Sequence, residues 1–164
     1  MMDIPTSVTL DAHLAKAGPA ADTFARLWVS LWRQQHVPAA TLELCRLTLA
    51  RMHADPAEIA AVNPHLPADA ISAERRAGVL AGEALEQPHF SDAEKAAMLF
   101  AEYYWMDPQS ITDEAADAVK AHVGEAGLVL LIEALGCIDG RIRAARCLRD
   151  IAVQFSAKEV AHVG

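Results

Sequence analysis

Apolar residues recur three and four positions apart through most of this chain, the spacing of one face of a helix. Phe24, Leu27, Trp28, Leu31 and Trp32 predict a helix over 21–35, which His36, Val37 and Pro38 end. Leu42, Cys45, Leu49 and Met52 share a stripe that Leu44 and Leu47 widen, so a second helix over 39–53 is expected to be buried on two sides. Asp55, Pro56 and Glu58 then form a helix start: a capping carboxylate, a proline suited to the first helical position, and a glutamate where a capping box places one. Pro64 and Pro67 stop that short helix and leave 63–71 as loop, because proline lacks the amide donor and disfavours helix in the residue before it.

Ser72 opens the next helix, to residue 85, and Gln87-Pro88-His89-Phe90 separates it from the clearest cap in the chain, Ser91-Asp92-Ala93-Glu94. That helix runs to Met106 and stops at Asp107-Pro108. Thr112 caps a short helix over 115–123, closed by Gly124 as an αL residue. A long helix over 125–155 follows, apolar nearly all round at first and carrying Arg141, Arg143, Arg146 and Arg149 later. No alternating strand pattern, repeat, low-complexity tract or linker intervenes, so residues 1–164 are expected to form a single all-α domain of about seven helices.

Composition supports helix over strand, with 34 alanines and 17 leucines against 2 Tyr, 4 Phe and 3 Trp. With 53% apolar and 22% charged residues, intrinsic disorder is excluded. A net charge of -8 argues against nucleic acid or an anionic membrane as partner. Between Met1 and Leu10 there is Asp3, no Lys or Arg and no continuous apolar run, which predicts a cytoplasmic protein. The most apolar run, 126–138, contains Glu133 and is shorter than the roughly 20 residues of a spanning helix, so it reads as a core helix. Cys45, Cys137 and Cys147 show neither a Cys-x-x-Cys nor a zinc spacing, and are expected to be small buried hydrophobes.

Three stretches resemble the carboxymuconolactone decarboxylase and alkylhydroperoxidase D-like superfamily. Leu42-Glu43-Leu44-Cys45-Arg46-Leu47-Thr48-Leu49-Ala50 is similar to its E-L-x-x-L-R-x-A helix. Ile71-Ser72, then Phe90-Ser91-Asp92-Ala93-Glu94-Lys95-Ala96-Ala97 on to Ala101-Glu102, is similar to its L-S-D-E and F-S-D-x-E-x-A-A-L-x-F-A-E segments. Gly140-Arg141-Ile142 stands where members often have Asn-Arg and an aliphatic residue. The likeness spans about residues 20–150 and implies an alkylhydroperoxidase D-like all-α fold that assembles with itself as a dimer, trimer or hexamer. Reductase members carry Cys-x-x-Cys with a downstream His at a helix N-terminus, where the dipole favours an attacking thiolate, and a Glu one helix earlier. By position that Glu is Glu43, the cysteines become Asp55 and Glu58, and the His falls on Val62. Other members have a Tyr-Glu-Trp-x-x-His type sequence; Glu58 matches its Glu, while Ala57, Ile59 and Val62 depart from the rest.

Glu43 and Glu58 are therefore the candidate catalytic residues, and the expected function is to act on or bind a small organic molecule through carboxylate acid/base chemistry, of lyase or isomerase type if an enzyme. The alternative is a non-enzymatic, degenerate oligomeric subunit; a peroxidase-related oxidoreductase ranks behind both, the cysteine pair being absent. Glu43 has a bland reading too, an exposed carboxylate paired with Arg46 at i+3, and Asp55 and Glu58 are capping residues first. Glu133, Cys137 and Arg141 line one face of the last helix, where Glu133 needs a partner if buried and Arg141, about 12 Å along the axis, is too distant. The arginines at 141–149 are expected to meet carboxylates. His53, His65 and His89 lie beside proline-rich loops and would bind a metal only by converging; the spacing shows no metal signature, and no cofactor is implied. Trp28, Trp32, Tyr103, Tyr104 and Trp105 read as core or oligomer contacts.

Overall fold

The structure, a computed structural model, describes residues 4–161, with side chains described for 4–152. Its helices are α1 (Leu10–Leu14), α2 (Pro19–Arg33), α3 (Ala39–Met52), α4 (Pro56–Ala60), α5 (Ala73–Ala81), α6 (Asp92–Met106) and α7 (Asp113–Ala161), with 3-10 turns at Ala15–Ala17 and Pro108–Ser110. There is no strand among the described residues. The expected all-α architecture is present, and helix starts follow the local chemistry. Asp55 Oδ1 accepts from the amides of Ala57 and Glu58, Ser72 Oγ from that of Arg75, and Ser91 with Glu94 closes a reciprocal capping box.

Some boundaries move for identifiable reasons. α5 stops at Ala81 rather than 85 because Gly82 adopts the left-handed conformation at φ 77°, ψ 19° and caps it. Gly124 has φ 70° but ψ -179°, so it is not an αL cap: it breaks the helical path while helix resumes at once, and α7 continues past Phe155. α1 was not expected, being too short to show a period, and α2 starts at Pro19, its first-turn proline. Met1 and Asp3, on which the N-terminal reading rests, lie outside the described residues.

α3 is central, with every residue from Thr41 to Ala50 buried between α5, α6 and α7. Trp28, Leu31, Leu42, Leu49, Phe100, Leu131, Leu135 and Ile138 belong to the main core, and Leu44, Leu47, Val79, Phe90 and Met98 to a smaller one between α3, α5 and α6. Asp113–Ala152 is long and apolar enough by composition to cross a membrane; Leu131, Ala134, Leu135, Ile138, Ile142 and Ala145 are buried against the rest of the chain, while only 33% of its most apolar stretch is buried.

Cys45 and Cys137 are buried; Cys147, contrary to expectation, is exposed, since it lies on the outer side of α7. Burial pushes the Cys45 thiol up to about 12 and the Cys137 thiol to about 11, from an ordinary 9.0. The unfolded chain therefore ionises these thiols first, so the stability they carry is complete below about pH 9 and is lost as pH rises towards 11–12. Native protein is expected to react with a thiol reagent at Cys147 alone, and its melting temperature to fall above pH 9; labelling of Cys45 without unfolding would contradict that burial.

Candidate functional site

The polar residues that the sequence singles out form one buried cluster, built where α3, α4 and the N-terminal segment meet. Arg46 is fully buried and uses all five of its N–H groups. Nε and Nη2 grip Glu43 in a bidentate pair, donating to Oε2 at 2.9 Å and Oε1 at 2.7 Å. Nη1 donates to the Glu58 carbonyl at 3.1 Å and reaches its carboxylate at 3.5 Å, and Nη2 also donates to the Ala61 carbonyl at 3.1 Å. The pairing with Arg46 at i+3 is present, but buried instead of exposed, because α3 has no solvent side.

Glu58 does not close a capping box on Asp55. It is fully buried and reaches across to Ser7, accepting from its amide at 2.5 Å and from its hydroxyl at 2.7 Å. Asp55 caps α4 and pairs with Arg149, whose Nη1 donates to the Pro5 carbonyl at 2.7 Å. Arg141, also fully buried, donates from Nε to the Ser7 carbonyl at 2.7 Å and holds Asp11 through both terminal nitrogens at 2.9 and 3.1 Å. Its guanidinium lies 4.2 Å from the Trp28 ring centroid and 5.1 Å from that of Phe24. Three of the four arginines of α7 meet carboxylates, Arg143 taking Asp139 at 2.7 Å, whereas Arg146 reaches the ring and the carbonyl of His53, each at 3.4 Å. Glu133 is exposed and has no need of a buried partner.

Beside Glu43 a cavity of about 60 Å³ opens between α3, α5 and the 61–71 loop. Glu43, Asn63 and Arg76 supply its polar wall, and Leu66, Pro67 and Ile71 part of its apolar one. Asn63 Nδ2 donates to Glu43 Oε2 at 2.9 Å while its Oδ1 accepts from the His65 amide at 3.0 Å, so one side chain fixes both the carboxylate and the loop. Arg76 donates to the Ile59 carbonyl, and burial together with the positive charge of Arg46 lowers its pKa from the ordinary value. Three donors meet the two oxygens of Glu43, which leaves it about one free acceptor position.

The three histidines do not converge. His53 is paired through Nε2 with Asp139 at 2.6 Å and meets Trp105 edge-on, His65 stacks parallel to Trp32 at 6.3 Å, and His89 sits 3.7 Å from Glu74 on the surface. Burial, then Arg33 and Arg141, lower the His65 pKa. No group of three or more potential ligands able to hold a metal ion occurs among the described residues. Trp28 and Trp32 are core, as expected, in an edge-to-face pair at 5.1 Å. Sequence reasoning missed Ser7, Asn63, Arg76 and the Asp139 partner of His53. Asn63 before Pro64 signals a turn, but nothing local announces a partner 20 residues back. Comparison with protein families, with curated proteins and with solved structures finds no match to this chain.

Proposed function

We propose that this chain is an alkylhydroperoxidase D-like protein without thiol chemistry that binds a small organic molecule in the cavity beside Glu43. The supporting observation is that Glu43, Asn63 and Arg76 converge on one wall of a cavity whose remaining lining is apolar. Arg46 and Arg76 balance Glu43 and Glu58 in charge, so an uncharged head that both donates and accepts hydrogen bonds, a hydroxyl or an amide, suits this wall better than an ion. Room for only a few heavy atoms means that the head enters and the body lies over Val62 and Pro67. Glu43 serves as acceptor and, in an enzyme, as the group that takes the proton. Glu58, sealed behind Ser7 and Arg46, positions the cluster and does not touch the ligand.

A fragment screen by amide NMR tests this reading. Small alcohols and amides are expected to shift the Asn63 side-chain signal and the 61–71 backbone, and Arg76→Met is expected to abolish the effect while preserving the fold. A screen in which nothing perturbs that loop, or in which Arg76→Met responds like the wild type, would favour the second reading, a non-enzymatic subunit. That second reading is supported by the internal commitment of both carboxylates to Arg46, Ser7 and Asn63.

A further inference from the structure

The cavity beside Glu43 takes all of its lining except Glu43 and Arg76 from residues 62–71, so that segment is its outer wall. The segment is lightly attached. Among the described residues its backbone hydrogen bonds are internal, from the Leu66 amide to the Asn63 carbonyl and from the Ala70 amide to the Pro67 carbonyl. One hydrogen bond among those residues joins it to the rest of the chain, from Asn63 Nδ2 to Glu43 at 2.9 Å. Its two ends are fixed, the Ala61 carbonyl by Arg46 and Ser72 as the cap of α5. Between them the remaining anchors are Leu66, packed on the main core, and the His65 ring. That ring lies parallel to Trp32, with 4° between the planes, and edge-on to Trp28 with centroids 6.5 Å apart. A neutral imidazole suits the place, because the charges of Arg33 on α2 and Arg141 on α7 both act on it, with Asp11 of α1 opposing them. Asp11 is itself already held by both terminal nitrogens of Arg141.

We propose that residues 62–71 form a lid over this cavity and that the His65 ring is its proton-operated latch. Neutral, the ring stays stacked on Trp32 and the lid is shut; protonated, it leaves that place for water and the lid lifts between its fixed ends. Burial, then the two arginines, lower the His65 pKa from the ordinary 6.5 of a solvated ring. An open lid returns the ring to water and to that ordinary value, so the open form takes up the proton more readily than the closed one. Closure is therefore complete above about pH 6.5 and is lost as pH falls towards the lowered value. Each pH unit in that window raises the ratio of open to closed by up to about tenfold, the limit for a single proton. A charged ring over an indole also gains a cation–π attraction, but Arg141 already occupies the Trp28 face at 4.2 Å, so the new charge meets an existing one. Asn63 transmits the change: its Oδ1 accepts from the His65 amide and its Nδ2 holds Glu43, so release of His65 loosens the polar wall of the cavity. The inference rests on the ligand reading only for what an open lid admits; the latch is a property of the free protein.

An NMR titration of the full chain without ligand, from about pH 8 to about pH 5, tests the latch. The His65 ring protons are expected to titrate below 6.5, and the Asn63 side-chain amide and the 62–71 backbone to shift on the same curve. His65→Phe keeps an aromatic ring against Trp32 with no proton to gain, and is expected to hold those signals unchanged over the same range. The comparison of ring with lid is made on the wild type alone, so it decides even if the variant does not fold. A His65 ring that titrates at or above 6.5 would overturn the proposal, as would lid signals that stay still while it titrates. So would a transition that survives in His65→Phe, which would place the sensor at Glu43 or another histidine. These outcomes are separate from the fragment screen at neutral pH, whose failure would remove the ligand and leave the lid.

Discussion

Arg46→Met is expected to be the most damaging single substitution in the chain, removing about 5 kcal/mol of a total stability of order 5–15 kcal/mol. The reason is not the number of lost bonds but what they leave behind. Glu43 and Glu58 would remain buried, with Asn63 and Ser7 as their hydrogen-bond partners and no cation bonded to either, Arg76 sharing only the cavity wall with Glu43. Two further carbonyls, those of Glu58 and Ala61, would lose their donor. Glu43→Gln should cost less, about 3 kcal/mol, because its amide oxygen still accepts and Arg46 keeps Glu58. Thermal melts check both, at roughly 2–4 °C per kcal/mol for a domain of this size. The double variant Arg46→Met with Glu43→Leu is expected to be more stable than Arg46→Met alone, since it removes one orphaned carboxylate together with its partner. If Arg46→Met melts within a degree or two of the wild type, the cluster is not the clamp that its geometry describes.

Arg141→Leu has the next largest expected effect, about 3–5 kcal/mol, and a distinctive locality. Arg141 is the hub through which α7 holds the N-terminal segment: it donates to the Ser7 carbonyl, pairs with Asp11 and covers the Trp28 ring. Asp11 is partly exposed and can rehydrate, whereas the Ser7 carbonyl is left without its donor. Ser7 in turn satisfies Glu58, so loosening residues 4–17 would carry into the cluster around Arg46. Amide exchange and limited proteolysis are expected to show residues 4–17 opening first, with α3 and α6 protected. Uniform exchange across the chain, or an unchanged N-terminal segment, would contradict this role.

The proposed ligand role and the surroundings of Glu43 make different demands on it. The proposal needs an acceptor open to the cavity; the fold surrounds the carboxylate with Arg46 and Asn63 and sets one cavity beside it. These are compatible if Glu43 is an acceptor held rigid for a ligand, and the behaviour of Glu43→Gln in the fragment screen separates that from pure support. His53 illustrates the opposite case. It sits two residues before Asp55, yet it turns away to Asp139 on α7 and takes no part in the cluster.

What the sequence determined by itself is everything set by neighbours a few residues apart. The starts of α4, α5 and α6, the two-sided apolar pattern of α3 and the break at Gly124 follow from capping groups, prolines, apolar spacing and a glycine at positive φ, all of which act within one or two turns. α1 and the early end of α5 escaped because one turn of helix carries no period and a single left-handed glycine outweighs continuing apolar spacing. The pairing of Glu43 with Arg46 was legible as an i+3 spacing, but its burial was not, since burial depends on what α5, α6 and α7 place around α3. Only the tertiary structure could bring Ser7 to Glu58, Arg141 to Asp11, Arg149 to Asp55 and Asn63 to Glu43. Those partners lie far apart in the chain, and their attraction is specified by the low-dielectric interior that folding creates, where an unpaired charge is too costly to leave.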